Sequence, residues 1–194
     1  MKAGFIKRLL AYFVDSILVS LLVTILALGI KNNANTYEQE LSNLIKDYMA
    51  GDVQMGEYLN QVEDLNYEIS KASAVTNTIS VVLTIGYFIV FAYLNKGQTI
   101  GKKIFKIKVV ENGDAPSLKA MILRNIIILQ IVSNLCSVIL INILNKNMYF
   151  LVTETVTAIE ELIIIVSVFM ILYRSDKRGV HDLIAHTEVI EEVQ

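Results

Sequence analysis

Three carboxylates stand inside stretches that otherwise read as membrane-spanning: Asp15, Glu160 and Glu161. An Asp at a helix centre costs about 2.5–3.5 kcal/mol on insertion scales, so each is expected to face protein or water rather than lipid. Intramembrane carboxylates that can take up a proton or a cation mark ion and proton routes. These three are therefore the candidate ion- and proton-binding residues. Arg8 precedes Asp15 on nearly the same helical face, but about 10 Å lower along the axis. Spacing therefore denies it the role of direct partner.

Counting inward from the basic ends of the apolar stretches, Tyr87, Gln130 and Ser167 fall at the depth of Asp15. Ser80, Asn134 and Ser137 fall near the depth of Glu160 and Glu161, about 20 Å from that end. Tyr87, Gln130, Asn134 and Ser167 thus form the expected supporting polar layer. The competing reading is plain helix-to-helix hydrogen bonding, which small hydroxyl and amide residues routinely supply. His181 and His186 are five apart, without the i, i+4 pair and glutamate of a metalloprotease helix. No nucleophile–base set, P-loop or dinucleotide fingerprint is readable. No enzyme activity, cofactor, metal or nucleic-acid partner is expected. Cys136 stands alone within an apolar stretch, so there is no disulfide framework, and a packing role is expected.

The elements that must hold these groups follow from hydrophobicity. Of 194 residues, 54% are hydrophobic, too many for an ordinary soluble domain. About 20 apolar residues cross roughly 30 Å of hydrocarbon. Four stretches reach that length, at about 9–30, 74–94, 120–144 and 148–173. The last is interrupted by Glu154, Glu160 and Glu161. The first lacks a small-residue cleavage site and reads as a retained anchor rather than a signal peptide. The fold class expected is an all-α, four-helix membrane bundle in a single domain.

Charge is segregated. Thirteen of the 17 basic residues precede the first stretch, fill the segment between the second and third, or follow the fourth. The positive-inside rule places both termini and the 95–124 loop in the cytoplasm of a multi-pass cell-membrane protein. The opposite loop, Lys31 to Ser73, is acidic, with eight Asp or Glu against three Lys. Thr36 to Gln39 fits a capping box, and two apolar helical faces separated by Gly51 predict a helical hairpin over 36–73. In the basic loop, Lys106 to Val109 alternates like a short strand and Asn112-Gly113 signals a tight turn. Thr99 and Ser117 are suited to cap helices.

Four segments in this order, "KRLLAYFVDS", "KGQTIGKKIFKIKVV", "SLKAMILRN" and "DKRGVHDLIAHTEVI", resemble the RDD family of small bacterial membrane proteins. That family is named for one Arg and two Asp, which match Arg8, Asp15 and Asp182 here. His186 stands where the family usually has a small glycine. The resemblance leaves out the acidic hairpin and the Glu160-Glu161 pair. It implies a possible transport role, since cation/proton antiport has been attributed to some members.

Two functions are therefore open. One is a monovalent cation/proton antiporter or other small-solute transporter that uses the intramembrane carboxylates, with a homo-oligomer supplying missing wall. The alternative is a non-transporting adaptor or regulatory subunit that binds a membrane protein partner. Asp182 is expected to pair with Arg8 or a basic residue of the 95–124 loop and so lock the tail to the first helix. The lipid bilayer is a partner in either case.

Overall fold

The computed structural model describes residues 1–192; the last two residues of the tail expected over 174–194 lie outside it. Helix α1 (Phe5–Ala27) is followed by the hairpin α2 (Ala34–Ala50) and α3 (Met55–Ala72). Helix α4 (Ala74–Ile85) runs through a π-helical stretch, Gly86–Phe91, into the short α5 (Ala92–Leu94). The basic loop folds as α6 (Ile100–Ile104) and β1 (Ile107–Glu111). Then come α7 (Leu118–Ile128), α8 (Ile131–Leu140), the long α9 (Lys146–Tyr173), α10 (Val180–Ile184) and β2 (Thr187–Glu191).

Helices α1, α4–α5 and α9 are each long and apolar enough to cross a membrane. Their outward faces carry large side chains such as Phe13, Leu21, Val82, Leu162 and Phe169, exposed in the isolated chain. A continuous apolar surface of that kind is what a bilayer covers. The inward faces of α1 and of the α4–α5 span meet around Ala11, Val19, Phe88 and Ile89, with Ile131 of α8 against them.

The third span departs from expectation. It is not one straight helix: α7 and α8 meet at 73° around Leu129 and Gln130, and cross only as a broken pair. Gln130 adopts a left-handed conformation, φ 50° and ψ 40°, which is unfavourable for a residue with a Cβ and persists only where the surroundings impose it. The hairpin also starts earlier than the capping-box reading placed it. Asn33 occupies the cap position and α2 begins at Ala34, so Thr36 lies inside the helix and caps nothing. Gly51 ends α2 at φ 85°, a conformation glycine adopts without steric cost.

Other local signals are realised. Thr99 and Ser117 accept hydrogen bonds from the Lys102 and Ala120 N–H groups and cap α6 and α7. Asn112 and Gly113 both have positive φ, and Glu111 bridges Asp114 across that turn. Strand β1 pairs antiparallel with β2 of the tail, Ile107 opposite Glu191 and Glu111 opposite Thr187. The chain start joins this sheet, as the Ala3 N–H donates to the Val189 carbonyl at 2.9 Å. N-terminus, basic loop and tail therefore form one cap on the basic end of the bundle.

Candidate functional site

Asp15 lies on the inward face of α1 and is fully buried. Its carboxylate accepts three hydrogen bonds: from the Tyr87 hydroxyl at 2.6 Å, the Thr99 hydroxyl at 2.5 Å and the Gly101 N–H at 2.7 Å. The two hydroxyls also accept. Tyr87 takes the Ile100 N–H at 3.1 Å and Thr99 the Lys102 N–H at 3.3 Å. The first N–H groups of α6, which have no partner within the helix, are thereby all occupied. The negative charge also suits that helix end. A Cβ on Gly101 would come within 2.9 Å of the Asp15 carboxylate and closer still to the Ala11 carbonyl. The glycine is what lets α6 approach α1. Tyr87 reaches Asp15 from the π-helical stretch, where an extra residue per turn re-aims side chains.

Asp182 is equally buried and opens α10. Arg8 donates to its Oδ2 at 2.8 Å, and Arg124 ion-pairs with its Oδ1. The Gly179 N–H and the Thr187 hydroxyl also donate to it, at 3.2 and 3.4 Å. Arg8 spends its remaining donors on the Lys177 carbonyl at 2.7 Å and the Ala3 carbonyl at 3.2 Å. One carboxylate thus ties α1, α7, α10 and the start of β2 together. Asp15 and Asp182 are separate sites, and Arg8 serves only the second. His186, at φ 53°, takes a left-handed conformation between α10 and β2, the geometry that favours a glycine.

Beside Asp182, His181 Nδ1 lies 2.7 Å from the Ser167 hydroxyl, which itself accepts the Val180 N–H at 3.1 Å. The Asp182 carboxylate 3.5 Å from Nε2 favours the neutral tautomer with its proton on Nε2, in which the Ser167 hydroxyl donates to Nδ1. Burial, reinforced by Arg124, Arg8 and Lys102, holds His181 down to about 2. An unfolded histidine gains a proton as pH falls through about 6.5, whereas this one does not. The unfolded state then binds more protons, and stability is lost with falling pH by up to about 1.4 kcal/mol per unit. The apparent melting temperature in detergent is expected to drop between about pH 7 and about pH 5, and to drop less in His181→Gln. Equal slopes in the two proteins would exclude this imidazole as the source.

Glu160 is buried on the inner face of α9, whereas Glu161 and Glu154 are exposed. Glu160 Oε2 accepts the Ser133 N–H at 3.2 Å, in the first turn of α8 just past the break. Its other oxygen, Oε1, is the one buried side-chain polar atom without a hydrogen-bond partner among the described residues. Asn134 turns back to the break instead, donating to the Gln130 carbonyl at 2.7 Å. Ser137 pairs with Tyr149 at 2.8 Å. The expected inner layer is therefore divided: Tyr87 reaches Asp15, Ser167 reaches His181, and Gln130 meets neither carboxylate.

Gln130 instead lies where cavities converge. A cavity of about 540 Å³ on the basic side includes Asp15, Lys102, Arg124, Gln130 and Glu161 in its lining. A second, about 380 Å³, is lined by Ser16, Ser20, Ser80, Thr84, Gln130 and Asn134. A third, about 490 Å³, is lined by Gln130, Ser133, Thr153, Glu154 and Thr157 among others. Burial and the neighbouring Arg124 push the Lys102 ammonium down to about 7. No group of three His, Cys, Asp or Glu side chains able to hold a metal occurs among the described residues.

Sequence reasoning missed the helix break and the Ser167–His181 contact; it offered Arg8 or a basic residue of the 95–124 loop for Asp182, and the structure shows both, in Arg8 and Arg124. Arg124 carried a usable signal, being the basic residue nearest the apolar part of its stretch. No curated protein and no solved structure matches the chain. A family model described as RDD family matches residues 2–186, Asp15 and Asp182 among them, so the chain belongs to the RDD family of membrane proteins.

Proposed function

We propose that this protein exchanges a monovalent cation for protons across the membrane, with Glu160 as the exchanging carboxylate. The observation that supports this reading best is the buried, unpartnered Glu160 Oε1 beside the break in a discontinuous span. Discontinuous helices with a half-helix N-terminus at a charged group recur at transporter binding sites. The cavities that share Gln130 supply approaches from both sides, and Asp15 and Glu161 line the same one. On this reading Asp15 and Asp182 hold the basic end together, and Glu161 and Glu154 attract cations to the approaches. The basic end faces the cytoplasm, in keeping with the positive-inside rule.

The test is proteoliposomes with an imposed sodium or potassium gradient and a trapped pH dye. The wild-type chain is expected to show cation-dependent proton flux. Glu160→Gln is expected to lower it on the order of tenfold or more, because an amide cannot carry the proton. Undiminished flux in that variant would eliminate Glu160 as the carrier.

A second reading, an adaptor without transport, draws on the α2–α3 hairpin, which leaves Met49, Met55 and Leu59 exposed. Absence of flux in the wild type, with a stoichiometric partner lost on deleting residues 36–69, would favour it.

A further inference from the structure

The large cavity on the basic side has two parts of different chemistry. Its walls come from α1 and α9, with Leu9, Tyr12, Ile164, Ile165 and Val168. Leu9 and Ile165 are themselves half exposed on the surface a bilayer covers, so the cleft opens sideways towards lipid. Its floor is cationic: Arg8, Lys102, Arg124 and Asp15 line it, with Asp182 paired to Arg8 and Arg124, while Glu161 lines the same cavity further along α9.

With Lys102 protonated, the floor itself, apart from Glu161, carries one positive charge more than its two carboxylates, and the hydrogen bonds identify where it sits. Each guanidinium nitrogen of Arg8 already has a partner, Asp182 or a carbonyl. Arg124 bonds through Nη1 alone, to Asp182 and Thr187, so Nε and Nη2 are left to the cavity among the described contacts. Lys102 uses its backbone N–H on Thr99, and no described hydrogen bond or ion pair engages its ammonium. An open guanidinium edge beside a free ammonium suits a phosphate, which accepts a fork of N–H donors and a point charge together.

We propose that the cleft between α1 and α9 binds an anionic phospholipid, its phosphate on Lys102 and Arg124 and its acyl chains along Leu9, Tyr12, Ile165 and Val168. A soluble phosphate would use the same floor but would gain nothing from the apolar walls or the sideways opening. The lipid neutralises the surplus charge without leaving the bilayer. This assignment stands apart from the exchange reading, since it uses neither Glu160 nor the helix break.

Native mass spectrometry of the full chain in detergent tests it, with phosphatidylglycerol and phosphatidylcholine of matched chains as probes. Phosphatidylglycerol is expected to be retained and to be preferred. Lys102→Gln should weaken it about five- to tenfold, as expected for one basic residue at a lipid phosphate. Lys103→Gln should not, because Lys103 is exposed and contacts Asn95 outside the cleft. Ile165→Trp fills the acyl groove without touching a charge and should weaken retention too. Equal retention of the two lipids, or no effect of Lys102→Gln, would overturn the site. Inorganic phosphate that displaces the lipid and binds as tightly on its own would overturn the lipid assignment in favour of a soluble anion.

Discussion

Asp182→Asn is expected to be the most damaging single change to the fold. The wild-type carboxylate is wholly buried between Arg8 and Arg124 and also receives Gly179 and Thr187. The amide keeps the shape but removes the only charge that both guanidiniums share. Replacing a buried ion pair as a whole can be nearly neutral, but removing one partner costs about 3–5 kcal/mol, because the other charge is left uncompensated. Here two are left. The full chain should lose its monodisperse peak in size-exclusion chromatography, or melt far below the wild type. Simultaneous Arg8→Met and Arg124→Met should recover part of the loss, since no orphaned charge remains. A single Asp182→Asn variant that melts like the wild type would show that the lock contributes little.

Asp15→Ala is expected to rank next, and comparison with Asp15→Asn separates shape from charge. Alanine strands the Tyr87 hydroxyl, the Thr99 hydroxyl and the Gly101 N–H, which all lose their acceptor. Each stranded group costs about 1–3 kcal/mol, so the loss is several kcal/mol and releases α6 from α1. Asparagine retains one oxygen for Tyr87 and Gly101 and can donate to Thr99 through its NH2. It should cost only about 1–2 kcal/mol, the difference between a charged and a neutral hydrogen bond. Proton flux should survive in Asp15→Asn, which keeps the fold, and thermal melting should order the proteins wild type, Asn, Ala. Loss of flux in a well-folded Asp15→Asn protein would give the carrier role to Asp15 in place of Glu160.

Much of this architecture is legible in the chain because it is written in short-range chemistry. Length and apolarity mark the spans that became α1, α4–α5 and α9. Thr99, Ser117 and Asn112-Gly113 act on backbone groups two or three residues away, so their effects survive any tertiary context. The break at Gln130 is different. No proline or glycine marks it, and the left-handed turn is imposed by what surrounds it. The expected layer at the depth of Asp15 assumed straight helices, and the bend takes Gln130 out of it. The pairing of β1 with β2 spans some eighty residues of chain, and neither strand encodes its partner. Tyr87 fell at the right depth by counting, but the π-helical stretch that aims it gives no sign beyond Gly86.

The clamps also set an order for biosynthesis. Asp15 enters the membrane with the first helix, but its acceptors are answered only when Thr99 and Gly101 have been made. Arg8 waits longer, for a carboxylate 174 residues further on. Until then the ribosome carries a nascent chain whose first helix holds an unanswered charge inside or at the edge of the bilayer. That helix must be sheltered by the insertion machinery or by the second span, which brings Tyr87. A chain cut short before α10 would keep Arg8 and Arg124 unanswered for good. Closing Asp182 over them is therefore the step that separates a finished molecule from an incomplete one.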